Sequence, residues 1–325
     1  MLSLGQARPE KLRRGDRFAA FLWAFFGRVF SALGPRFTFW FFSGVLTVPI
    51  RKSSNETLIS KNVSLAFPDM AGADQAALVD KIVRELPRAM AELMLQNFWR
   101  RAGDRVTRHN LDAPWLQPYA RNEKQALFLL GHFSGWEANI MMLSKKLSGV
   151  HAVYAPPKNL LLETYFNERR TDFSGNWTLY PRDQKGLQRL MARKCAEGRS
   201  LLYALDAPLP GPMLPFMGQT SPTALRPYEL AAKAGMPVIP LKCGRDRDKI
   251  GFWIEAQDPI FAKGTSDDDI RDLAIRMNDH YSDWIRENPD HWYWTGQFFQ
   301  PNKRWEARSK RKTAAKKTPP KQNAN

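Results

Sequence analysis

In the segment GHFSGWE, residues 131–137, a histidine and a glutamate stand five positions apart. A histidine can take a proton from a hydroxyl near neutral pH, and a carboxylate on its second ring nitrogen fixes the tautomer and stabilises the imidazolium. On one continuous helix a five-residue step turns two side chains about 140° apart, so His132 and Glu137 converge only if the helix begins after the histidine. The preceding run ALFLLG, 126–131, reads as a buried strand, and EANIMMLSKKL after it reads as a helix. This places His132 at the mouth of a strand-to-helix turn, with Glu137 one turn in as its orienting carboxylate. A plainer reading stands beside it. Ser134 followed by Glu137 is a capping-box pair, and a histidine at a strand end is more often a hydrogen-bonded core residue than a base. A serine nucleophile is a poorer idea, because GHFSG puts Ser134 fourth and not third as in G-x-S-x-G.

The elements that must position this turn alternate along the chain. ADQAALVDKIVREL has Leu78, Ile82, Val83 and Leu86 at helical spacing, and Pro87 is expected to bend or end that helix. Strands are expected at VHAVYA (150–155), SLLYAL (200–205) and PVIPLKC (237–243), with KIGFWIE (249–255) adding an edge. Helices are expected from about Asn159 to Thr171 and near 224–235, and Ile270, Leu273, Met277, Tyr281, Trp284 and Ile285 mark a late amphipathic helix. Strands alternating with helices predict an α/β layer fold, and such sheets hold ligands where strands give way to helices.

Two cysteines, Cys195 and Cys243, with no paired spacing, and five scattered histidines offer no metal-binding pattern. A net charge of +17 implies an anionic partner, either a lipid surface or nucleic acid, but no nucleic-acid-binding motif supports the latter. From Lys303 onward nine basic residues accompany a single acid, which reads as a solvated, disordered tail over 303–325. Residues 18–50 are almost wholly apolar but are interrupted by Arg28, Arg36 and Gly34-Pro35. Each half falls short of the roughly 20 residues of a spanning helix. The expected organisation is therefore a membrane-anchoring segment over 1–52, lying in the interface, and a catalytic domain over 53–302. A single tilted span and a hairpin buried in a soluble core remain the alternatives for the segment.

GHFSGWE, together with NVSLAFPDM (62–70), VYAPPKNLLLETYFNERR (153–170), the run from Leu201 to Pro240 and ENPDHWYW (287–294), resembles the late acyltransferases of lipid A biosynthesis. These lauroyl and myristoyl transferases share an H-x4-D/E motif with glycerolipid acyltransferases. The resemblance implies an α/β fold of glycerolipid-acyltransferase type, a mixed sheet flanked by helices. It also implies transfer of an acyl chain from acyl carrier protein or coenzyme A to a hydroxyl of a membrane lipid, at the cytoplasmic face of the inner membrane, with no metal or cofactor. His132 matches the family's base and Glu137 its acidic partner. Arg170, with Arg169 as the neighbouring alternative, and Asp206 match positions expected to bind substrate. The chain departs from the family where Asp-Gln is replaced by Asp206-Ala207, and where Trp294 is followed by Thr295-Gly296-Gln297-Phe298 instead of His-Arg-Arg-Phe. An acceptor with fewer charges than a phosphorylated sugar fits those losses. A catalytically inactive, lipid-binding relative is the alternative from another class.

Overall fold

The computed structural model describes residues 14–102, 107–171, 176–246 and 250–299. The tail expected over 303–325 lies outside them.

Five short runs of apolar residues form the parallel heart of a mixed sheet. They are β2 (Leu127–Leu130), β3 (His151–Tyr154), β4 (Thr178–Pro181), β5 (Leu201–Ala204) and β8 (Val238–Arg245). Every residue of β2 is buried, as a strand covered on both faces requires. Two further strands, β1 (Thr107–His109) and β9 (Phe252–Ala256), complete the order β1-β9-β8-β2-β5-β3-β4; β9 runs antiparallel to β8 and parallel to β1. The 249–255 run is thus the second strand from the rim and not the edge, because the three-residue β1 covers it. A separate hairpin, β6 (Met213–Phe216) and β7 (Gln219–Pro222), follows β5.

The connections set a switch point. From β2 the chain passes through α7 (Trp136–Lys146) to β3 on one side. It continues through α8 (Leu160–Thr171) to β4 and through α9 (Leu187–Ala196) to β5, the strand beside β2. From β5 it leaves in the opposite direction, by way of the hairpin and α10 (Arg226–Ala234), to β8. Adjacent strands whose connections diverge open a crevice at their carboxyl ends, the place where open α/β sheets bind ligands.

Helix α11 (Asp267–Glu287) starts at a capping box between Ser266 and Asp269. It buries Ile270, Leu273, Met277, Tyr281, Trp284 and Ile285, and the Tyr281 hydroxyl donates to the Leu130 carbonyl at the end of β2 (3.2 Å).

The amino-terminal elements are α1 (Arg14–Leu33), α2 (Pro35–Arg51), α3 (Ser54–Ala66), α4 (Gly72–Met94) and α5 (Gln96–Ala102), with the single-turn α6 (Gln117–Ala120) later. Helix α4 runs through Pro87, which is buried within it, so the proline does not end the helix as expected. Gly34, at φ 83, separates α1 from α2; this left-handed backbone costs glycine least, and Pro35 opens the next helix. The apolar segment is therefore two helices joined at a break. No described helix is long and apolar enough to cross a membrane. Helix α2 lies along α4, with Arg51 paired to Asp80, while Trp23 of α1 meets Phe166 of α8 edge-on. The other side of the hairpin leaves Phe18, Phe21, Phe25, Trp40, Val45 and Val48 exposed.

Candidate active site

His132 lies two residues past the end of β2 and Asp206 two past the end of β5. In the parallel register Leu130 is opposite Ala204, so the two residues face each other across the crevice. The Asp206 carboxylate is buried and fully engaged. Oδ1 sits 2.7 Å from His132 Nδ1, and Oδ2 accepts the His132 main-chain N–H (2.6 Å) and the Trp292 indole N–H (2.8 Å). With three donors around it the carboxylate is a fixed anion. Burial works against its charge, but His132 and these hydrogen bonds prevail and hold Asp206 below the ordinary carboxylate range. The same contact acts in reverse on the imidazole. Burial disfavours the imidazolium, the Asp206 charge and hydrogen bond outweigh it, and the His132 pKa rises above 6.5. An imidazole that donates from Nδ1 to a carboxylate presents Nε2 as an acceptor, and His132 keeps 32% of its side chain exposed. Such an arrangement has the geometry to take a proton from a hydroxyl at Nε2.

Glu137 occupies another place than expected. It sits in the first turn of α7, buried, and both oxygens belong to Arg170 of α8: Nε at 3.0 Å and Nη2 at 2.5 Å. The expected hold of Glu137 on the second nitrogen of His132 is therefore corrected to Asp206. Helix α7 begins at Trp136 after a left-handed Gly135, and this turn carries the Glu137 side chain to α8 while His132 remains at the strand end. The capping box is not formed either, since the N-cap residue is Gly135 and the Ser134 hydroxyl accepts the Arg245 N–H instead (3.3 Å).

Arg170 and not Arg169 reaches the site. Its guanidinium lies 5.9 Å from the Trp136 ring centroid, and that ring in turn meets His132 edge-on at 5.4 Å. Nη1 of Arg170 donates to Asn167, whose side chain donates to the Tyr154 hydroxyl (2.8 Å); that hydroxyl donates to Glu163. Arg169 turns away, stacking on Tyr165 and donating to Asn97 of α5. Asp206, expected to meet substrate, has its oxygens occupied by His132 and Trp292.

Several contributors were not singled out in the sequence. Trp292 and the main chain around it clamp the motif: Phe133 bridges to Trp292, Ser134 N–H donates to the His291 carbonyl (2.7 Å), and Tyr293 N–H donates to the His132 carbonyl (3.1 Å). Glu92 of α4 and Arg245 of β8 hold the turn from its other side. A glutamate placed among the buried positions of an amphipathic helix was the available signal for Glu92. No cluster of three or more metal-ligating side chains occurs among the described residues.

A profile described as bacterial lipid A biosynthesis acyltransferase matches residues 7–300. No curated protein sequence matches the chain. Among solved structures, the crystal structure of the 1-acyl-sn-glycerophosphate (LPA) acyltransferase PlsC from Thermotoga maritima is 11% identical. The similarity covers 71% of this chain and 96% of that one, with a TM-score of 0.34.

Proposed function

The chain belongs to the bacterial lipid A biosynthesis acyltransferase family, and we propose that it moves a fatty acyl group from a thioester donor to a hydroxyl of a membrane lipid, with His132 as general base. The observation that carries this reading is the His132–Asp206 contact, which leaves Nε2 as an acceptor at the mouth of the switch-point crevice.

In the proposed reaction the acceptor hydroxyl gives its proton to His132 Nε2 as its oxygen attacks the thioester carbonyl. The imidazolium so formed is stabilised by Asp206, as the aspartate of a serine-hydrolase triad stabilises its histidine. The tetrahedral intermediate collapses, the C–S bond breaks, and the departing thiolate takes the proton back from His132. Ester and free thiol leave, and no covalent enzyme intermediate forms. A positioned base of this kind supplies about 10²- to 10⁴-fold. The buried Glu137–Arg170 pair fixes α7 against α8 and keeps Trp136 beside the imidazole.

Both substrates suit the surroundings. Arg182, exposed just past β4, is near enough for its charge to oppose protonation of His132, and exposed Lys158 and Lys185 stand at the same end of the sheet. These cations suit a phosphate-bearing donor arm, of acyl carrier protein or coenzyme A. The α1–α2 hairpin, whose exposed aromatic side chains accompany exposed Arg17, Arg28 and Arg36, suits the interface of an anionic leaflet. It rests on α8, the helix that carries Arg170, and so would bring the bilayer to the side of the site. The anchor, the cytoplasmic face of the inner membrane and a lipid A precursor or related lipid as acceptor are parts of this proposal. Where the family has basic residues after the late tryptophan, Trp294 and Phe298 are buried here, and the Asn62 side chain donates to the carbonyls of Trp294 and Gly296 (2.8 Å each). That segment braces the fold, which favours an acceptor with fewer charges.

The test is to incubate purified protein, and a His132→Ala variant, with acyl carrier protein bearing a labelled chain, or with labelled acyl-coenzyme A, and a bacterial lipid extract. Mass spectrometry then identifies the labelled lipids. A new acylated lipid formed only by the unaltered protein is expected. Equal product from both removes His132 as the base, and no product from either donor replaces the enzyme with a lipid-binding relative.

A further inference from the structure

In the turn between His132 and Glu137 the Gly135 carbonyl accepts the first helical bond of α7, from Asn139 N–H (3.0 Å), while the N–H groups of Ser134 and Gly135 are tied to distant parts of the chain. Gly135 N–H donates to Glu92 Oε2 at 2.9 Å, while Glu92 Oε1 lies 2.5 Å from Arg245 Nη1. The main-chain N–H of the same Arg245 donates to the Ser134 hydroxyl. Glu92 and Arg245 are almost wholly buried, and Arg245 also contacts Glu85, two turns earlier on the same face of α4. The Phe39 ring of α2 lies 5.3 Å from the Arg245 guanidinium, and the Trp99 indole donates to the Glu92 carbonyl.

Gly135 leaves no room for a side chain. It holds φ 80, and a Cβ placed on it would lie 2.3 Å from the Phe252 ring. Only glycine fits this position of the turn, and the carboxylate of Glu92 is the acceptor for its central N–H. A buried carboxylate–guanidinium pair is a poor source of stability, since desolvation cancels much of the attraction. What it does supply is a directional acceptor at a fixed place, the kind of supporting contact that keeps a site in productive geometry.

We propose that Glu92 and Arg245 are positioning residues for the acyl transfer: they hold the Ser134–Gly135 turn so that His132 stays on Asp206 at the strand end while Glu137 reaches Arg170. The inference rests on His132 being the base. Neither residue touches the reacting atoms. Loss of the acceptor at Gly135 frees the turn, lets the imidazole move off Asp206, and lowers the turnover of bound substrate without weakening the binding of either substrate.

The experiment compares the unaltered protein with Glu92→Gln, Glu92→Leu and Ser134→Ala in the labelled acyl-transfer assay, reading kcat, KM for donor and acceptor, and the pH profile of kcat. Glu92→Leu is expected to lower kcat on the order of 10- to 100-fold, the scale of a slightly misplaced catalytic group. KM values should remain near those of the unaltered protein, and the acid limb should move to lower pH as His132 loses Asp206. Glu92→Gln should recover most of the loss, because its carbonyl oxygen accepts the same N–H. Ser134→Ala, which removes the second tie, should show a smaller fall of the same kind. A Glu92→Leu protein that melts earlier but keeps kcat and acid limb would overturn the proposal. Should Glu92→Leu not fold, an unaltered kcat and acid limb in Ser134→Ala overturns it, since the tie between the turn and Arg245 then does not matter to catalysis. Activity in the unaltered protein that survives His132→Ala would instead defeat the reading of His132 on which the inference rests.

Discussion

His132 and Asp206 are the second residues beyond two neighbouring parallel strands, and the pairing of Leu130 with Ala204 is what joins them. A shift of one strand by one residue would turn Asp206 to the other face of the sheet. The contact is thus a property of strand register, made between residues 74 positions apart in the chain.

Replacing Asp206 by Asn should lower kcat and move the acid limb of the pH profile downwards. As the proposed base, His132 is competent only when neutral, so activity should rise as pH passes its pKa, which Asp206 holds above 6.5. Without the negative charge that pKa falls. Stability changes in a defined window. The raised histidine favours the folded state fully below the unfolded pKa of about 6.5 and loses that contribution as pH rises through its folded pKa. The depressed aspartate contributes above about 3.9 and loses its contribution as pH falls through its folded pKa. The destabilisation by Asp206→Asn, about 1–3 kcal/mol for disturbing buried hydrogen bonds, should therefore be greatest between those limits. Denaturant unfolding across pH, beside the pH profile of kcat, measures both, and an unmoved acid limb would detach Asp206 from the base.

Removing either member of the Glu137–Arg170 pair leaves a buried charge without its partner. Glu137→Ala should cost about 3–5 kcal/mol, and the double variant Glu137→Ala with Arg170→Met should recover part of that loss. A double-mutant cycle by urea unfolding gives the coupling. Glu137→Gln should also shift the acid limb less than Asp206→Asn does, because Glu137 influences His132 only through its charge. A larger shift from Glu137→Gln would restore it as the orienting carboxylate.

The exposed aromatic face of the hairpin gives a third expectation. Burying one such side chain contributes about 1.5–3 kcal/mol, so the pair Phe21→Ser and Trp40→Ser should weaken binding to anionic vesicles by about tenfold or more. The melting temperature should stay unchanged, since both side chains are exposed in the fold. Sedimentation with anionic and zwitterionic vesicles at two salt concentrations reads this, and undiminished binding would remove the hairpin from the interface.

Much of the architecture was legible from local pattern. The runs at 126–131, 200–205 and 237–243 are largely apolar because their strands are almost wholly buried, the run at 150–155 is buried over its first half, and the six apolar positions from Ile270 to Ile285 mark the buried face of α11. The strands β1 and β4 and the β6–β7 hairpin were not foreseen. They are three or four residues long, and their burial is partial or alternates with exposed positions. Helix α4 passed through Pro87 because packing on α2 and α3 outweighs a local propensity.

Residue type and spacing were enough to determine that His132 stands at a strand-to-helix turn, that Glu137 follows in the first turn of the helix, and that the apolar start of the chain breaks at Gly34. All three are local matters of periodicity and backbone freedom. Which carboxylate serves which cation was decided only by the tertiary structure. A hydrogen bond is formed within about 3 Å, and distances of that order between Asp206 and His132, Glu137 and Arg170, or Glu92 and Gly135 follow from sheet order, register and helix packing, which no local pattern encodes.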